Sequence, residues 1–340
     1  MWHSGQRADV MGLRSGVAID LGTVNTLVYV TGRGIVIEEP SAIGINRRTG
    51  TVTAVGLAAD ALTGKETLDI EVLHPLRDGV IADLDATAAM LQAFLSRAGI
   101  RRGVGRTPCV ICLPGEATDV ERQSVIAAAE VLRPRCAVEL VEEPVAAAAG
   151  AGFDLAAGTG SFVVDIGGGT TEIAVLAGGH VVRARSLRIG GNAMDDAITR
   201  HVRSQFGLLL GRDAARNLKT TLGLGDGTTT EMETVGVDAG RRTPRVARVP
   251  AALVAGAVEP MVRAIVGSVT DLLADIPPNL AEDVFRGKIR LAGGGAMLPG
   301  LAYRIEAAAD IPTVVVDDPL RCVIRGAAII LEQGGLGSAG

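Results

Sequence analysis

The chain has 340 residues, 48% hydrophobic and 21% charged, with a net charge of -5. That composition excludes wholesale disorder, and the length exceeds what one hydrophobic core usually serves, so two lobes are expected. The acidic balance, the lack of long basic runs and an aromatic content of 2% exclude a nucleic-acid binder, which needs Lys and Arg for phosphates and rings for bases.

Residues 1–15 lack the apolar core of a signal peptide and read as a flexible N-terminal arm. Trp2, Val10, Met11 and Leu13 are too few to make that arm an amphipathic anchor. No run of 18 apolar residues occurs, so no transmembrane span is expected. Four cysteines in so long a chain do not resemble a secreted disulfide framework, and a reducing, cytoplasmic setting follows.

From residue 17 to 45, β-branched residues alternate with turn signals and predict consecutive strands. Apolar residues at helical spacing predict a helix over 85–100, and TPCVICLPG returns to a strand. Cys109 and Cys112 form a C-x-x-C within that strand. Positions three apart on a strand face opposite sides, so they read as core residues rather than a metal or redox pair. Helices are predicted at 119–132, with acidic residues in the first turn, and at 142–152, with Pro144 where its missing N–H does no harm. A second set of strands begins at SFVVDIGGGTTEIAVL. Helices at 192–206 and 211–221 follow, then a polar strand region to 250, a long helix at 251–274, and a closing strand, glycine turn and helix.

The second strand set repeats the first. Asp20-Leu21-Gly22-Thr23-Val24-Asn25-Thr26 matches Asp165-Ile166-Gly167-Gly168-Gly169-Thr170-Thr171, 145 positions later (165 minus 20). A repeat of that period means duplicated lobes, since solenoid periods are only about 20 to 50 residues. In each copy an apolar strand runs into Asp-x-Gly, where glycine removes the Cβ that would block close approach. Backbone N–H groups can then meet phosphate oxygens. The Asp puts a carboxylate beside those phosphates, where Mg2+ is the natural partner, mostly through its waters. A third glycine cluster, Gly293-Gly294-Gly295, follows another apolar strand and predicts a helix start against which a base and ribose can lie.

These blocks, with the acidic-Pro helix start at 142–144, resemble the superfamily of actin, sugar kinases and DnaK-type chaperones. Within it the chain is most similar to the MreB family of bacterial actins, from about Gly16 to Glu332. The resemblance rests on AIDLGTVNTLVYV, RGIVIEEPS, TDVERQSV, LVEEPVAAAAGAG, VVDIGGGTTEIAVL, LAGGGAMLPGL and DDPLRCVIRGAA. HPLRDGVIADLDAT and RIGGNAMDDAI are the stretches most particular to that family.

The resemblance implies an α/β actin-like ATPase fold: two duplicated, ribonuclease H-like lobes, each with a smaller subdomain, and a nucleotide cleft between them. The implied subdomains are IA (16–43, 77–153 and 322–340), IB (44–76), IIA (154–192 and 255–321) and IIB (193–254). It implies ATP and Mg2+ as ligands, with Asp20 and Asp165 organising the metal. Gly22, Thr23, Val24, Asn25, Gly167, Gly168, Gly169 and Thr170 would contact phosphates, and Gly294, Gly295, Ala296 and Met297 would border the adenosine. Hydrolysis would use Glu143 and Thr170 beside Asp165. That assignment is chemically sensible, because transfer to water needs an oriented nucleophile and little covalent help. A helix N-terminal carboxylate is otherwise worth only about 0.3–1 kcal/mol, a role that Glu142 fills better.

The chain departs from the family pattern at two places. The helix that meets the ribose usually carries Glu-x-x-Lys, and here Arg216 and Lys219 occupy those positions. Arginine cannot accept a hydrogen bond, so weaker adenosine binding is expected. The loop GIRRGVGRTP also offers Arg101, Arg102 and Arg106 in place of bulky apolar residues for an anionic membrane surface. The implied role is a weak ATPase that forms head-to-tail filaments with itself, lies on the inner face of the cell membrane, and works with membrane-embedded wall-synthesis and shape proteins. A degenerate scaffold with little nucleotide turnover and a sugar or metabolite kinase of the same superfamily are the alternatives.

Overall fold

The computed structural model describes residues 16–65, 68–100, 107–130, 136–225 and 227–334. The N-terminal arm and Arg101, Arg102 and Arg106 therefore lie outside the described residues.

The first lobe opens with the meander β1 (Val17–Leu21), β2 (Asn25–Val30) and β3 (Gly34–Pro40). A small sheet follows, built from β4 (Ile43–Asn46), β5 (Val52–Val55), the short helix α1 (Leu57–Asp60) and β6 (Ile70–Leu73). The tight hairpin β7 (Leu76–Arg77) and β8 (Val80–Ile81) leads to α2 (Leu84–Arg97). Next come β9 (Thr107–Leu113), α3 (Asp119–Ala129), β10 (Cys136–Glu142) and α4 (Glu143–Gly150).

The second lobe begins with another meander, β11 (Ser161–Ile166), β12 (Thr171–Ala177) and β13 (His180–Leu187), followed by α5 (Gly191–Phe206). A second small sheet holds β14 (Leu208–Leu209), β15 (Glu231–Asp238) and β16 (Pro244–Pro250), with α6 (Arg212–Leu222) packed on it. The chain closes with α7 (Ala251–Ala274), α8 (Ala281–Gly287), β17 (Ile289–Ala292), α9 (Leu301–Ala309), β18 (Thr313–Val315) and α10 (Cys322–Glu332).

The two main sheets have one topology. Their strand orders are β3-β2-β1-β9-β10 and β13-β12-β11-β17-β18, an antiparallel meander followed by two parallel strands in each case. The registers coincide as well: Leu21 pairs with Thr26, and Ile166 pairs with Thr171, so each repeated turn holds four residues between matched pairs. The 145-residue repeat read from sequence is thus a repeat of fold.

Local signals account for the helices that flank the sheets. Asp83 caps α2, accepting from the Ala86 N–H at 2.9 Å, and Met90, Leu91, Phe94 and Leu95 line its buried face. Thr118 and Glu121 form a reciprocal capping box on α3. Helix α4 is buried on nearly every side, as an alanine-rich helix must be. It packs against α10 at the centre of a shared interior that draws Ala18 and Val110 from the first sheet and Val163 and Ala174 from the second. That interior joins the lobes. Cys109 and Cys112 are both buried on β9 and outside any disulfide, and they fall in different core layers, as strand alternation requires.

Helix α7 is long and apolar enough by composition to cross a membrane. It supplies Val254, Val258, Val262, Ile265 and Val269 to the core of the second lobe, which accounts for its hydrophobicity.

Candidate functional site

Between the lobes lies a cleft of about 350 Å³, within the usual size range of ligand sites. The two repeated turns form its floor. In each turn the carbonyls are tied back to their own lobe. Gly22 O accepts from the Ser41 hydroxyl at 2.6 Å and Val24 O from the Ser41 N–H at 2.8 Å. In the second turn, Gly167 O and Gly168 O accept from the N–H groups of Gly191 and Asn192 at 3.0 and 2.9 Å, at the start of α5. With the carbonyls engaged, the N–H groups of Thr23, Val24, Gly168 and Gly169 have no hydrogen-bond acceptor among the described residues. Four unspent donors from two lobes make a paired anion cradle.

Glycine is needed for this approach. A Cβ on Gly169 would lie 2.8 Å from both the Asp78 Cα and the Thr23 Oγ1, and one on Gly190 would lie 2.6 Å from Gly168 O. The β7–β8 hairpin wedges between the turns: Asp78 and Gly79 both have positive φ, and the Gly79 N–H donates to Thr23 Oγ1 at 2.9 Å.

Four carboxylates stand beneath the turns. Asp20 and Asp165 occupy matching places on β1 and β11. Burial raises Asp20 to about 7, although its carboxylate opens partly onto the cleft. Burial and then the Asp20 charge raise Asp165 to about 7 as well. Glu143, at the N-terminus of α4, is pushed well above the ordinary glutamate value by burial and then by Asp20, Asp165 and Glu172. Glu172 is raised to about 7, chiefly by burial.

A divalent cation fits this donor set. Asp165 Oδ1 is buried without a hydrogen-bond partner, and Asp20 is equally short of compensating charge. Among the described residues no group of three or more His, Cys, Asp or Glu forms a ready-made metal site. A hard cation would therefore take these two carboxylates together with water and ligand oxygens.

The structure brings nearly all the sequence-derived candidates to this cleft: Asp20, Gly22, Thr23, Val24, Asn25, Glu143, Asp165, Gly167, Gly168, Gly169, Thr170, Arg216, Lys219, Gly294, Gly295 and Met297 line it. Ala296 does not. It is buried in the second core. The glycine triplet also differs from expectation, because its last two glycines begin a 3-10 turn over Gly294–Met297 and α9 starts only at Leu301. A Cβ on Gly293 would lie 2.4 Å from Asp165 Oδ1, and one on Gly295 would lie 2.2 Å from Ile166 Cγ2. Those two glycines are required by packing against β11, while the space at Gly294 is limited only by Leu320 at 3.0 Å.

Sequence reading assigned no role to Gly79, Asn192, Asp195, Thr220 or Leu320, which also line the cleft. Asp195 and Gly79 lie inside the two most family-specific stretches, and that was the available signal.

Comparison with known proteins fits this architecture. The family model described as MreB/Mbl protein matches residues 14–336. The chain belongs to the MreB/Mbl family. It is 40% identical over 325 residues to the cell shape-determining protein MreB of Escherichia coli strain K12, covering 93% of each chain. It is 35% identical over 319 residues to the cell shape-determining protein Mbl of Bacillus subtilis strain 168, covering 93% of this chain and 96% of the relative. The crystal structure of MreB5 of Spiroplasma citri bound to ADP superposes with a TM-score of 0.87 at 32% identity, over 94% of this chain and 97% of that one. A MamK double helical filament, at 24% identity and a TM-score of 0.80, shares the fold. As a member of this family the chain is an actin-like cytoskeletal protein, and the actin-like fold expected from sequence is the one found.

Proposed function

We propose that this protein binds ATP in the interlobe cleft, hydrolyses it slowly, and assembles with itself into filaments that guide wall synthesis and cell shape at the inner face of the cell membrane. The carrying observation is the set of four unspent N–H donors, two from each lobe, converging on one cleft above buried carboxylates. The ADP and AMPPNP complexes of Spiroplasma citri MreB5 support a nucleotide as the anion.

On this reading both turns hold phosphate oxygens through backbone N–H groups, so the ligand joins the lobes. Asp20 and Asp165 would hold Mg2+, which neutralises phosphate charge when bound. Glu143 positions the attacking water. Burial and the neighbouring carboxylates raise its affinity for a proton, the direction a proton acceptor needs, and the Thr170 hydroxyl, which lines the same cleft, orients the same water. Closure of the two small sheets around the ligand would couple nucleotide state to subunit shape. Head-to-tail contacts then extend into an open filament.

The test uses purified protein with Mg-ATP, followed by sedimentation, electron microscopy and phosphate release. Filaments with slow release, and a Glu143→Ala variant that binds ATP but releases at least tenfold less phosphate, are expected. Filaments with equal release from both proteins would remove Glu143 from the reaction. Phosphorylation of an added sugar would instead indicate a kinase.

A further inference from the structure

The phosphate end of the cleft is built from donors, whereas a ribose presents hydroxyl groups and needs an acceptor. Arg216, on the α6 wall, is donor-only. The acceptor lies across from it. Asp195 sits in the second turn of α5, lines the cleft, and is 6% exposed. Lys219, also buried, reaches from α6 to place Nζ 2.8 Å from Asp195 Oδ1 and donates to Gly191 O at 2.9 Å. The ammonium thus binds one carboxylate oxygen and the first residue of α5 together, which fixes the direction of the carboxylate. The other oxygen, Oδ2, lies 4.0 Å from Arg216 Nε, beyond hydrogen-bond reach.

Burial raises the proton affinity of Asp195 and Lys219 opposes that rise, while Oδ2 is left facing Arg216. A carboxylate oxygen at the wall of the cleft, held from behind by a buried lysine, suits a sugar hydroxyl. Arg216, beside Thr220 at the rim, closes the other side of the same space.

We propose that Asp195 is the ribose-hydroxyl acceptor of this site, oriented by Lys219, so that the protein selects ribonucleotides over deoxyribonucleotides even though residue 216 is an arginine. This rests on the nucleotide reading above and adds to it a residue and a selectivity. A site built to hydrogen-bond a hydroxyl discriminates strongly against the analogue lacking it, because its buried polar group is left unpaired.

Calorimetric titration of the wild-type protein with ADP, 2′-deoxy-ADP and 3′-deoxy-ADP tests the assignment without turnover. At least one deoxy analogue should bind about tenfold or more weakly than ADP. In Asp195→Asn, which keeps the shape but is a weaker acceptor, ADP affinity should fall and the ADP-to-deoxy ratio should shrink by at least threefold. A melting curve for that variant confirms folding. ADP binding with equal affinity for all three ligands in the wild type overturns the assignment of Asp195 and leaves the nucleotide reading standing. Unchanged selectivity in a folded Asp195→Asn also overturns it. No binding of ADP at all overturns both.

Discussion

Gly168 and Val24 meet face to face across the cleft: a Cβ placed on Gly168 would stand 2.1 Å from Val24 Cγ2. The two repeated turns leave no room for a methyl group between them at this point, and its absence sets their distance. Gly168→Ala is therefore expected to push the turns apart and lower ATP affinity at least tenfold. Because the strain falls on a cleft that can open, the melting temperature of the ligand-free protein should change by only a few degrees. The double variant Val24→Ala, Gly168→Ala should recover much of the lost affinity, since it returns the space taken. Equal affinities for the wild type and both variants, measured by calorimetry, would show that the turns do not act as a pair.

The duplicated turns were legible because a strand, an Asp-x-Gly and a Thr recur at matching places, and local chemistry enforces them. Glu143 was legible because Pro144 marks a helix start. Asp195 was not, because its role depends on Lys219 arriving from another helix, a tertiary fact with no local pattern. The glycine triplet was read as a ligand surface, and it does line the cleft, but the close packing of Gly293 and Gly295 on Asp165 and Ile166 is a tertiary demand with no local signal. Strands β5 and β6 of the small sheet passed unread because they are only four residues long and give little periodic signal.

Gly326 on α10 and Gly150 on α4 let those helices cross almost backbone to backbone. A Cβ on Gly326 would lie 1.7 Å from Ala146 O, and one on Gly150 would lie 1.9 Å from Cys322 O. Neither neighbour is a side chain that can turn aside. Gly326→Ala should force the helices apart in the interior shared by both lobes and cost about 3 kcal/mol of stability, the upper part of the usual range for overpacking. Denaturant unfolding measures this, and a loss below about 0.5 kcal/mol would mean that the crossing has slack.

Arg212, in the first turn of α6, reaches the first lobe. Its Nη1 lies 3.5 Å from Asp60 Oδ1 and its Nη2 lies 3.4 Å from His74 Nε2. The pair is half-exposed, and such contacts contribute about 0–1 kcal/mol to stability, so Arg212→Ala should barely alter melting. It should speed nucleotide release a few-fold by loosening lobe closure, and the difference should fade in high salt. Burial and then the Arg212 charge lower the affinity of His74 for a proton. The closed form thus holds His74 neutral, and its advantage is lost as pH falls through the ordinary histidine range near 6.5. Stopped-flow release rates that are the same at pH 6 and pH 8, in both wild type and variant, would exclude the latch.

Glu172 on β12 accepts from the Ser186 hydroxyl at 2.6 Å and from the Gly115 N–H of the first lobe at 3.4 Å. Burial outweighs these bonds and raises its pKa from 4.5 to about 7. The folded state therefore binds the proton more tightly than the unfolded chain. The stabilisation is complete below about pH 4.5 and disappears as pH rises through 7. By pH 8 about 3 kcal/mol of the stability present below pH 4.5 is lost, the worth of a shift from 4.5 to about 7. Glu172→Gln copies the protonated shape: its amide oxygen can accept from the Gly115 N–H while its NH2 donates to the Ser186 hydroxyl oxygen. The variant should match the wild type near pH 5 and exceed it at pH 8, with the gap opening between those values. Comparing the two proteins at each pH cancels the titration of every other group. A stability difference that stays constant from pH 5 to pH 8, measured by denaturant unfolding without nucleotide, would show that Glu172 titrates as an ordinary surface carboxylate.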